Sequence, residues 1–478
     1  MSFISPEFVV FFCIVLPAFF ILKHRVRWIL LLLVSYFFYA YGNIQYVPLI
    51  AFSTVVDYVA ARRIHHHDKN EQQRRLWLVM SIIVNLGVLF TFKYFNFFNE
   101  SAAVAFGYTP LTHSLILPIG ISFYTFQSMS YTIDVYRRDL LPETNFGIMA
   151  TYVAFFPQLV AGPIERATNL LPQFHQEQTF DEDRAVSGLQ LILWGFFKKV
   201  VIADRLAIYV NAVYNNVDEY SGAILILATL FFTFQIYCDF SGYSDIAIGT
   251  ARIMGFDLME NFRQPYFSQS IREFWGRWHI SLSTWFRDYL YIPLGGNRVG
   301  LWRNLINLFI VFVVSGLWHG AGWTFIIWGV LHGLAIVLIG LLRHYKIDLM
   351  PGKSALMVLL RIIVTFIFVS FAWIFFRANS LADAHYIVSH LLIFDSSQNI
   401  IAPFAEALLS EQIEFILSFL LIAILIGFDF FDARITLPRI FAGIPMIFRW
   451  GAYYSLIAAV LFSGLYGAGA SQFIYFQF

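Results

Sequence analysis

Residues 304–333 read NLINLFIVFVVSGLWHGAGWTFIIWGVLHG, and this stretch decides the fold. Two apolar runs, 304–318 and 323–342, are separated by a short break that contains His319. A bilayer core requires about 20 mostly apolar residues per helix, so runs of this kind indicate membrane-spanning helices. The stretch therefore predicts a helical pair with a histidine at its junction.

His319 is the most informative polar residue of this stretch. An ionisable side chain at membrane depth costs free energy, so it is a functional candidate by default. The small residues Gly316, Gly320 and Gly322 leave room for a ligand or for close packing of helices. The alternative is a histidine that is hydrogen-bonded at a helix end. His332, within the second run, is a weaker candidate that also suits a structural role.

The rest of the chain has the same apolar character. Of its 478 residues, 59% are hydrophobic and only 13% are charged, whereas a soluble domain carries about 25% charged residues. Apolar runs recur from 6–22 to 450–467 and predict an all-α polytopic membrane protein, a single domain of about ten to twelve helices, some of them re-entrant. The net charge of +1 argues against nucleic-acid binding. Cys13 and Cys238 lie far apart, so we expect neither a disulfide framework nor a metal site.

Basic loop residues predict the orientation. Lys and Arg are concentrated around residues 23–27, 62–75 and 343–353, which we assign to the inner face. Counting spans from these loops puts the FIYFQF segment, residues 473–478, on the outer face. Tyr475 provides its single hydroxyl. From the residues alone, the segment is a hydrophobic plug that docks against the helices.

The densest polar stretch is Arg263–Asn297. Helical spacing puts five apolar residues on one stripe, which consists of Phe274, Trp278, Leu282, Trp285 and Tyr289. This pattern predicts a helix in the membrane interface, with its apolar face in lipid or protein. Arg272, Arg277 and Arg287 lie off the stripe, where they either anchor the helix or bind the phosphates of an anionic donor. His279 directly follows a stripe residue.

A third stretch, CDFSGYSDIAIG at 238–249, places Asp239 and Asp245 beside an apolar run. These carboxylates either line a polar cavity or cap helices, because Asp and Ser are favoured at helix starts. Asp57, Asp134 and Asp204 carry the same ambiguity.

Long motifs resemble one known family, the membrane-bound O-acyltransferases (MBOAT). The similarity extends over nearly the whole chain and rests on IREFWGRWHISLSTWFRDYLYIPLGGN, SGLWHGAGWTFIIWG, LPIGISFYTFQSMSYTIDVYR, FFPQLVAGPIERATNLLPQF and YCDFSGYSDIAIGTARIMGF. The closest resemblance is to the bacterial branch that O-acetylates exported cell-surface polymers such as alginate.

The resemblance implies a bundle around a central funnel and tunnel in the bacterial inner membrane. It implies a catalytic histidine at His319, a second motif histidine at His279, and an acyl-accepting tyrosine at Tyr475. It divides the chain into N-terminal helices 1–255, a motif-bearing region 256–345, C-terminal helices 346–472 and the FIYFQF segment. Acetyl-CoA is the expected donor, without a tightly bound cofactor. A separate periplasmic partner with an SGNH-type esterase fold is expected to pass the acetyl group to the polymer.

Several functions remain open at this level. The resemblance favours an alginate-like polymer, with peptidoglycan or cellulose as alternatives that share the same membrane motifs. A transporter or flippase is an alternative of another class, because intramembrane His, Asp and Arg residues with glycine-interrupted spans suit one in general terms. The transporter predicts no acetyl transfer and no role for the Tyr475 hydroxyl.

Overall fold

A computed structural model describes residues 1–113, 117–160, 162–405, 407, 409–434, 445–466 and 472–474. All regular secondary structure within these ranges is helical. The predicted all-α polytopic fold is confirmed by nine helices, in this described part of the chain, that are long and apolar enough to cross a membrane. They are Ile44–His66, Glu71–Phe106, Glu182–Tyr214, Ala223–Met254, Leu301–His319, Trp323–His344, Ala355–Arg377, Glu411–Phe431 and Met446–Ser463.

The chain divides into two compact units. The first contains Met1–Ile192 and Tyr243–Glu260, and the second contains Leu193–Gly242 and Asn261–Phe478. The predicted single domain around a central funnel stays a prediction.

The first unit is built from α-helices, and some of their ends have ordinary caps. They cover Pro6–Ile21, His24–Asn43, Val47–His66, Glu71–Leu89, Phe95–Phe106, Ile121–Arg137, Phe146–Ala154, Phe156–Leu159 and Ala167–Phe174. The hydroxyl of Ser5 accepts a hydrogen bond from the N–H of Phe8 at 3.3 Å, which satisfies one free donor of the first helical turn. Gly107 ends its helix in the left-handed region, at φ 72°, where glycine has no steric penalty.

A polar cluster around Asp57 joins three helices of this unit. The carboxylate is fully buried and accepts hydrogen bonds from Ser81, from Asn85 Nδ2 at 3.0 Å and from Thr132 Oγ1 at 3.1 Å. A buried carboxylate is costly unless its oxygens are hydrogen-bonded, and here two neighbouring helices supply the donors. Asp57 lies within a helix, so the helix-capping interpretation is wrong for this residue.

The second unit contains the predicted helical pair and its neighbours. Its α-helices are Asp204–Tyr214, Ile271–Trp275, Ile280–Phe286, Leu301–His319, Trp323–His344, Ala355–Arg377, Leu381–His390, Glu411–Arg434 and Met446–Ser463. Helices Glu182–Phe196 and Ala223–Met254 have residues in both units. Two wide π-helical turns, Phe197–Ala203 and Arg287–Tyr291, interrupt the regular helices, and such turns are frequent at functional sites.

The single interfacial helix predicted within Arg263–Asn297 is wrong. The structure instead contains two short helices, Ile271–Trp275 and Ile280–Phe286, followed by a π-helical turn. The break occurs because His279 adopts a left-handed backbone conformation that no helix can continue. Most of the predicted stripe is buried within the protein, as at Trp278 and Leu282.

Asp239 and Asp245 lie in the middle of the long helix Ala223–Met254, so the capping interpretation is wrong for both residues. Nothing in the intervening sequence breaks this helix. Asp239 is buried and makes specific contacts, described below, whose direction the sequence alone does not reveal.

Candidate active site

His319 is the last residue of helix Leu301–His319 and is only 2% exposed. Two glycines let this helix approach its partner closely. A Cβ atom at Gly316 would lie 2.3 Å from the Phe325 carbonyl oxygen and 3.2 Å from Cα of Gly329. The helix pair therefore packs backbone against backbone beside the histidine, and the glycines serve close packing.

Aromatic rings surround the His319 imidazole. Its ring centroid lies 5.0 Å from that of Trp328 and 5.3 Å from that of Phe376, both in edge-to-face geometry. The preceding Trp318 ring is also 5.0 Å away. These rings exclude water and lower the local dielectric, which strengthens any electrostatic interaction made at the imidazole.

His279 begins helix Ile280–Phe286 with φ 42° and ψ 55°. Asn261 stabilises this turn through both its backbone and its side chain. Its carbonyl accepts from the N–H of Ile280 at 2.9 Å, and its Oδ1 accepts from the Ser281 hydroxyl at 2.9 Å. Burial lowers the pKa of His279 from 6.5 to about 3, because a charged imidazole would lose its hydration. At neutral pH the side chain is therefore an uncharged ring.

The two predicted catalytic histidines meet in the structure. The ring centroids of His279 and His319 are 6.3 Å apart, and both rings are buried. The ring centroid of Phe240 lies 4.6 Å from that of His279, in edge-to-face geometry. A neutral imidazole has one nitrogen that donates and one that accepts, so such a pair can remove a proton and also hydrogen-bond a developing oxyanion.

His332 has a structural partner. Its Nδ1 accepts a hydrogen bond from the indole N–H of Trp275 at 3.2 Å, and its ring lies 5.0 Å from Trp328. Because Nδ1 is the acceptor, a neutral His332 carries its proton on Nε2. This histidine therefore fixes the orientation of Trp275.

A cavity of about 880 Å³ is lined by neighbours of the two histidines in the chain, although neither histidine itself is among its lining residues. Its walls include Ile280, which follows His279, and Ser315, one helical turn before His319. Trp275 and Phe312 form part of its apolar surface. Arginine side chains contribute most of its charge, namely Arg272, Arg287 and Arg343. A concave, mostly apolar space with a few charged groups is the usual form of a small-molecule site.

The three predicted donor-binding arginines have different positions. Arg272 and Arg287 line the cavity, and Arg287 also pairs with its neighbour Asp288 at 2.7 Å. Arg277 pairs with Glu273 at 2.5 Å and is not among the residues that line the cavity. Two of the three predicted arginines, Arg272 and Arg287, therefore line the same cavity.

Tyr475 lies outside the described residues, but the two residues before it are within them. Phe473 and Ile474 are buried, and the N–H of Ile474 donates to Oδ2 of Asp239 at 2.7 Å. Oδ1 of the same carboxylate pairs with Lys199 at 2.6 Å. Sequence reasoning missed Lys199, although a charged residue inside the apolar run 187–213 was a usable signal, since buried charge is expensive.

Comparison with known proteins defines the class. The profile of MBOAT, the membrane-bound O-acyltransferase family, matches residues 31–382. The chain belongs to this family and is a membrane-bound O-acyltransferase, as its motifs predicted.

The similar proteins are named after different cell-surface polymers. The chain is 45% identical over 362 residues to the probable alginate O-acetylase AlgI of Azotobacter vinelandii, covering 75% of this chain and 71% of that protein. It is 39% identical over 383 residues to the peptidoglycan O-acetyltransferase of Helicobacter pylori, covering 74% and 71%. The teichoic acid D-alanyltransferase of Bacillus subtilis is 28% identical over 288 residues, covering 57% and 72%.

Proposed function

We propose that this protein moves acetyl groups from cytoplasmic acetyl-CoA across the bacterial inner membrane, for O-acetylation of an exported polysaccharide. The observation that carries the proposal is the meeting of His279 and His319, two buried imidazoles 6.3 Å apart beside a cavity. Acetyl-CoA is too large and too charged to cross the bilayer. Only the acetyl group has to pass, so a residue that carries it outward is sufficient.

Tyr475 is the proposed carrier. A phenol has a pKa of about 10, so its acetyl ester gives up the acetyl group more readily than an alkyl ester does. At neutral pH the phenol is protonated and needs a base. His319 is the proposed base, because a neutral imidazole has one ring nitrogen that can accept a proton.

The proposed step balances as an acyl transfer. The Tyr475 oxygen attacks the thioester carbonyl while His319 takes the phenolic proton. The new C–O bond forms, the C–S bond breaks, and the coenzyme leaves as a thiol after His319 returns the proton to sulfur. His279 donates a hydrogen bond to the oxyanion that develops on the carbonyl oxygen.

The arginine-lined cavity is the proposed donor site. Arg272 and Arg287 are available for charge-assisted hydrogen bonds to the phosphates of acetyl-CoA, which are among the strongest polar contacts in proteins. The loop charges around Arg343 favour an inner-face opening, where the cytoplasmic donor is present. The acetyl end then points toward Ile280 and Ser315, next to the histidines.

The acceptor beyond Tyr475 is proposed to be a periplasmic partner with an SGNH-type fold, which acetylates the polymer. An alginate-like polymer is favoured by the AlgI-named relatives, with peptidoglycan or cellulose acetylation by the same mechanism as the alternative. The FIYFQF segment is proposed to face the periplasm, as the loop charges predict.

The direct test is mass spectrometry of the peptide that contains Tyr475, after purified protein is incubated with labelled acetyl-CoA. We expect the label on Tyr475 and release of CoA. Tyr475→Phe should remove the label. Tyr466→Phe is the matched control, because the Tyr466 hydroxyl donates to a nearby backbone carbonyl, that of Val460, at 2.8 Å. Full transfer activity of Tyr475→Phe would exclude the carrier role, and the absence of both label and CoA release would favour a transporter.

The donor site has a separate test. Arg272→Gln should raise the KM for acetyl-CoA by about tenfold, the effect of losing one hydrogen bond to a charged group. Arg277→Gln provides a comparison with an equal change of charge, because Arg277 lies in the turn after the same short helix and pairs with Glu273. Equal effects of the two substitutions would argue against the cavity as the donor site.

A further inference from the structure

Three charged side chains form a buried cluster in the second unit. Nζ of Lys199 lies 2.6 Å from Oδ1 of Asp239 and 2.7 Å from Oδ1 of Asp204, and none of the three side chains is more than 3% exposed. Removing charges from water costs free energy that their mutual attraction often fails to recover. Stability alone is therefore a weak explanation for this cluster.

The cluster contacts the FIYFQF segment directly. Oδ2 of Asp239 accepts from the N–H of Ile474, while Oδ1 of the same group binds Lys199. The ion pair holds the carboxylate in the orientation that directs Oδ2 at this N–H. The ring of Phe473 packs on Phe240 with centroids 5.8 Å apart. A main-chain bond and a side-chain contact thus fix the two residues that precede Tyr475.

The same part of the chain also contacts the end of helix Met446–Ser463 and the nearby residue Leu465. The N–H of Leu465 donates to the carbonyl of Val200 at 3.0 Å, and Nη2 of Arg205 donates to the carbonyl of Ser463 at 3.2 Å. Val200 follows Lys199 within the π-helical turn Phe197–Ala203. This turn and its flank therefore contact the chain at two places, near residue 465 and, through Asp239, at residue 474.

The contacts continue to the catalytic histidines. Phe240 follows Asp239 in the chain and packs edge-on against His279 at 4.6 Å, and His279 lies 6.3 Å from His319. One short stretch of helix thus touches the FIYFQF segment with one residue and the histidine pair with the next.

We infer that the Lys199–Asp239 ion pair is a positioning device that sets the register of the FIYFQF segment, so that Tyr475 is presented to the histidine pair. Neither Lys199 nor Asp239 contacts the reacting atoms in this role. The inference rests on the proposed function of Tyr475 as acetyl carrier. A slip of one residue would bring Ile474 or Phe476 to that place, and neither has a hydroxyl.

The chain offers a matched pair of substitutions. Asp239→Ala removes the acceptor of the Ile474 N–H and leaves Lys199 paired with Asp204. Asp204→Asn removes one carboxylate charge from the same cluster but retains the Lys199–Asp239 pair and its contact with Ile474. Thermal unfolding of both variants shows whether each is folded, and Asp239→Leu, which also has no acceptor for the Ile474 N–H, serves in place of Asp239→Ala if the latter is not.

Two measurements test the inference on the full-length protein. Hydrogen exchange of the peptide containing Ile474 should become at least about tenfold faster in Asp239→Ala, because the bond to a charged acceptor is lost, and stay unchanged in Asp204→Asn. Acetylation of Tyr475 should slow by about 10- to 100-fold in Asp239→Ala with an unchanged KM for acetyl-CoA. A synthetic peptide with the sequence FIYFQF, added in excess, should be acetylated by this variant.

The outcomes are distinguishable. Unchanged exchange in Asp239→Ala would overturn the anchoring contact. Faster exchange with normal labelling of Tyr475 would overturn the positioning role, as would slow labelling of Tyr475 combined with failure to acetylate the added peptide. If the unsubstituted protein acquires no label on Tyr475, the proposed function fails, and the positioning role fails with it. The hydrogen-exchange result still shows whether the Ile474 N–H is bonded to Asp239.

Discussion

The imidazole rings of His279 and His319 lie 6.3 Å apart, one at a left-handed turn and the other at the end of a membrane-length helix. Neither element alone holds both groups. Residues that act as one unit lose their function together, so their substitutions are strongly non-additive.

We expect His319→Ala to lower acetyl transfer by about 10²- to 10⁴-fold, the range for loss of a general base. His279→Ala should also lower kcat, and the double variant should be no slower than the slower single variant. Release of CoA from labelled acetyl-CoA, measured on protein that elutes normally from size exclusion, gives the comparison. Effects that multiply in the double variant would indicate two independent roles.

Stability should depend on pH through His279. Its pKa is lowered from 6.5 to about 3 in the folded protein, so between these values the unfolded chain binds a proton that the folded chain does not. The contribution to the free energy of unfolding is therefore complete above pH 6.5 and falls as the pH drops, by up to about 1.4 kcal/mol per pH unit. His279→Gln should flatten this dependence in unfolding experiments between about pH 3 and pH 6.5, where only the unfolded chain binds the proton. Parallel pH profiles for the two proteins would contradict the assignment.

Trp275 should influence which donors are used. Its ring lines the cavity, is held by His332, and lies 5.6 Å from Trp328, which contacts His319. Trp275→Leu should enlarge the cavity next to the reacting end and raise turnover of butyryl-CoA relative to acetyl-CoA by about tenfold, since two methylene groups gain burial. Trp302→Leu is the control, because Trp302 is 65% exposed. An unchanged preference would place the acyl group elsewhere.

The close helix contact at Gly316 gives a prediction about stability. Because an added Cβ would lie 2.3 Å from the Phe325 carbonyl oxygen, Gly316→Ala must shift backbone and should cost about 1–3 kcal/mol. Gly427→Ala, in another helix with nothing within 4 Å of the added atom, should be neutral or stabilising by up to about 1 kcal/mol. Thermal unfolding in detergent measures both. Equal effects would show that the helix pair separates easily.

Sequence reasoning reached the helical pair and His319 because both depend on local patterns, a span length and a polar residue inside an apolar stretch. It failed for Arg263–Asn297, since a regular stripe of aromatic residues also arises when short broken helices face a core. It left Asp239 undecided because the partners of this carboxylate, Lys199 and Ile474, are distant in sequence and are brought together only by packing. Helical periodicity carries no information about such contacts.

At His279 the backbone conformation and the proposed chemistry favour different side chains. A φ of 42° suits glycine or asparagine, and a histidine held there costs about 1–3 kcal/mol. The imidazole, however, is what the proposed mechanism requires at this position. A laboratory selection for heat resistance alone should therefore enrich His279→Asn and yield a sturdier protein that no longer transfers acetyl groups. Directed evolution of this protein would have to select for activity and stability together.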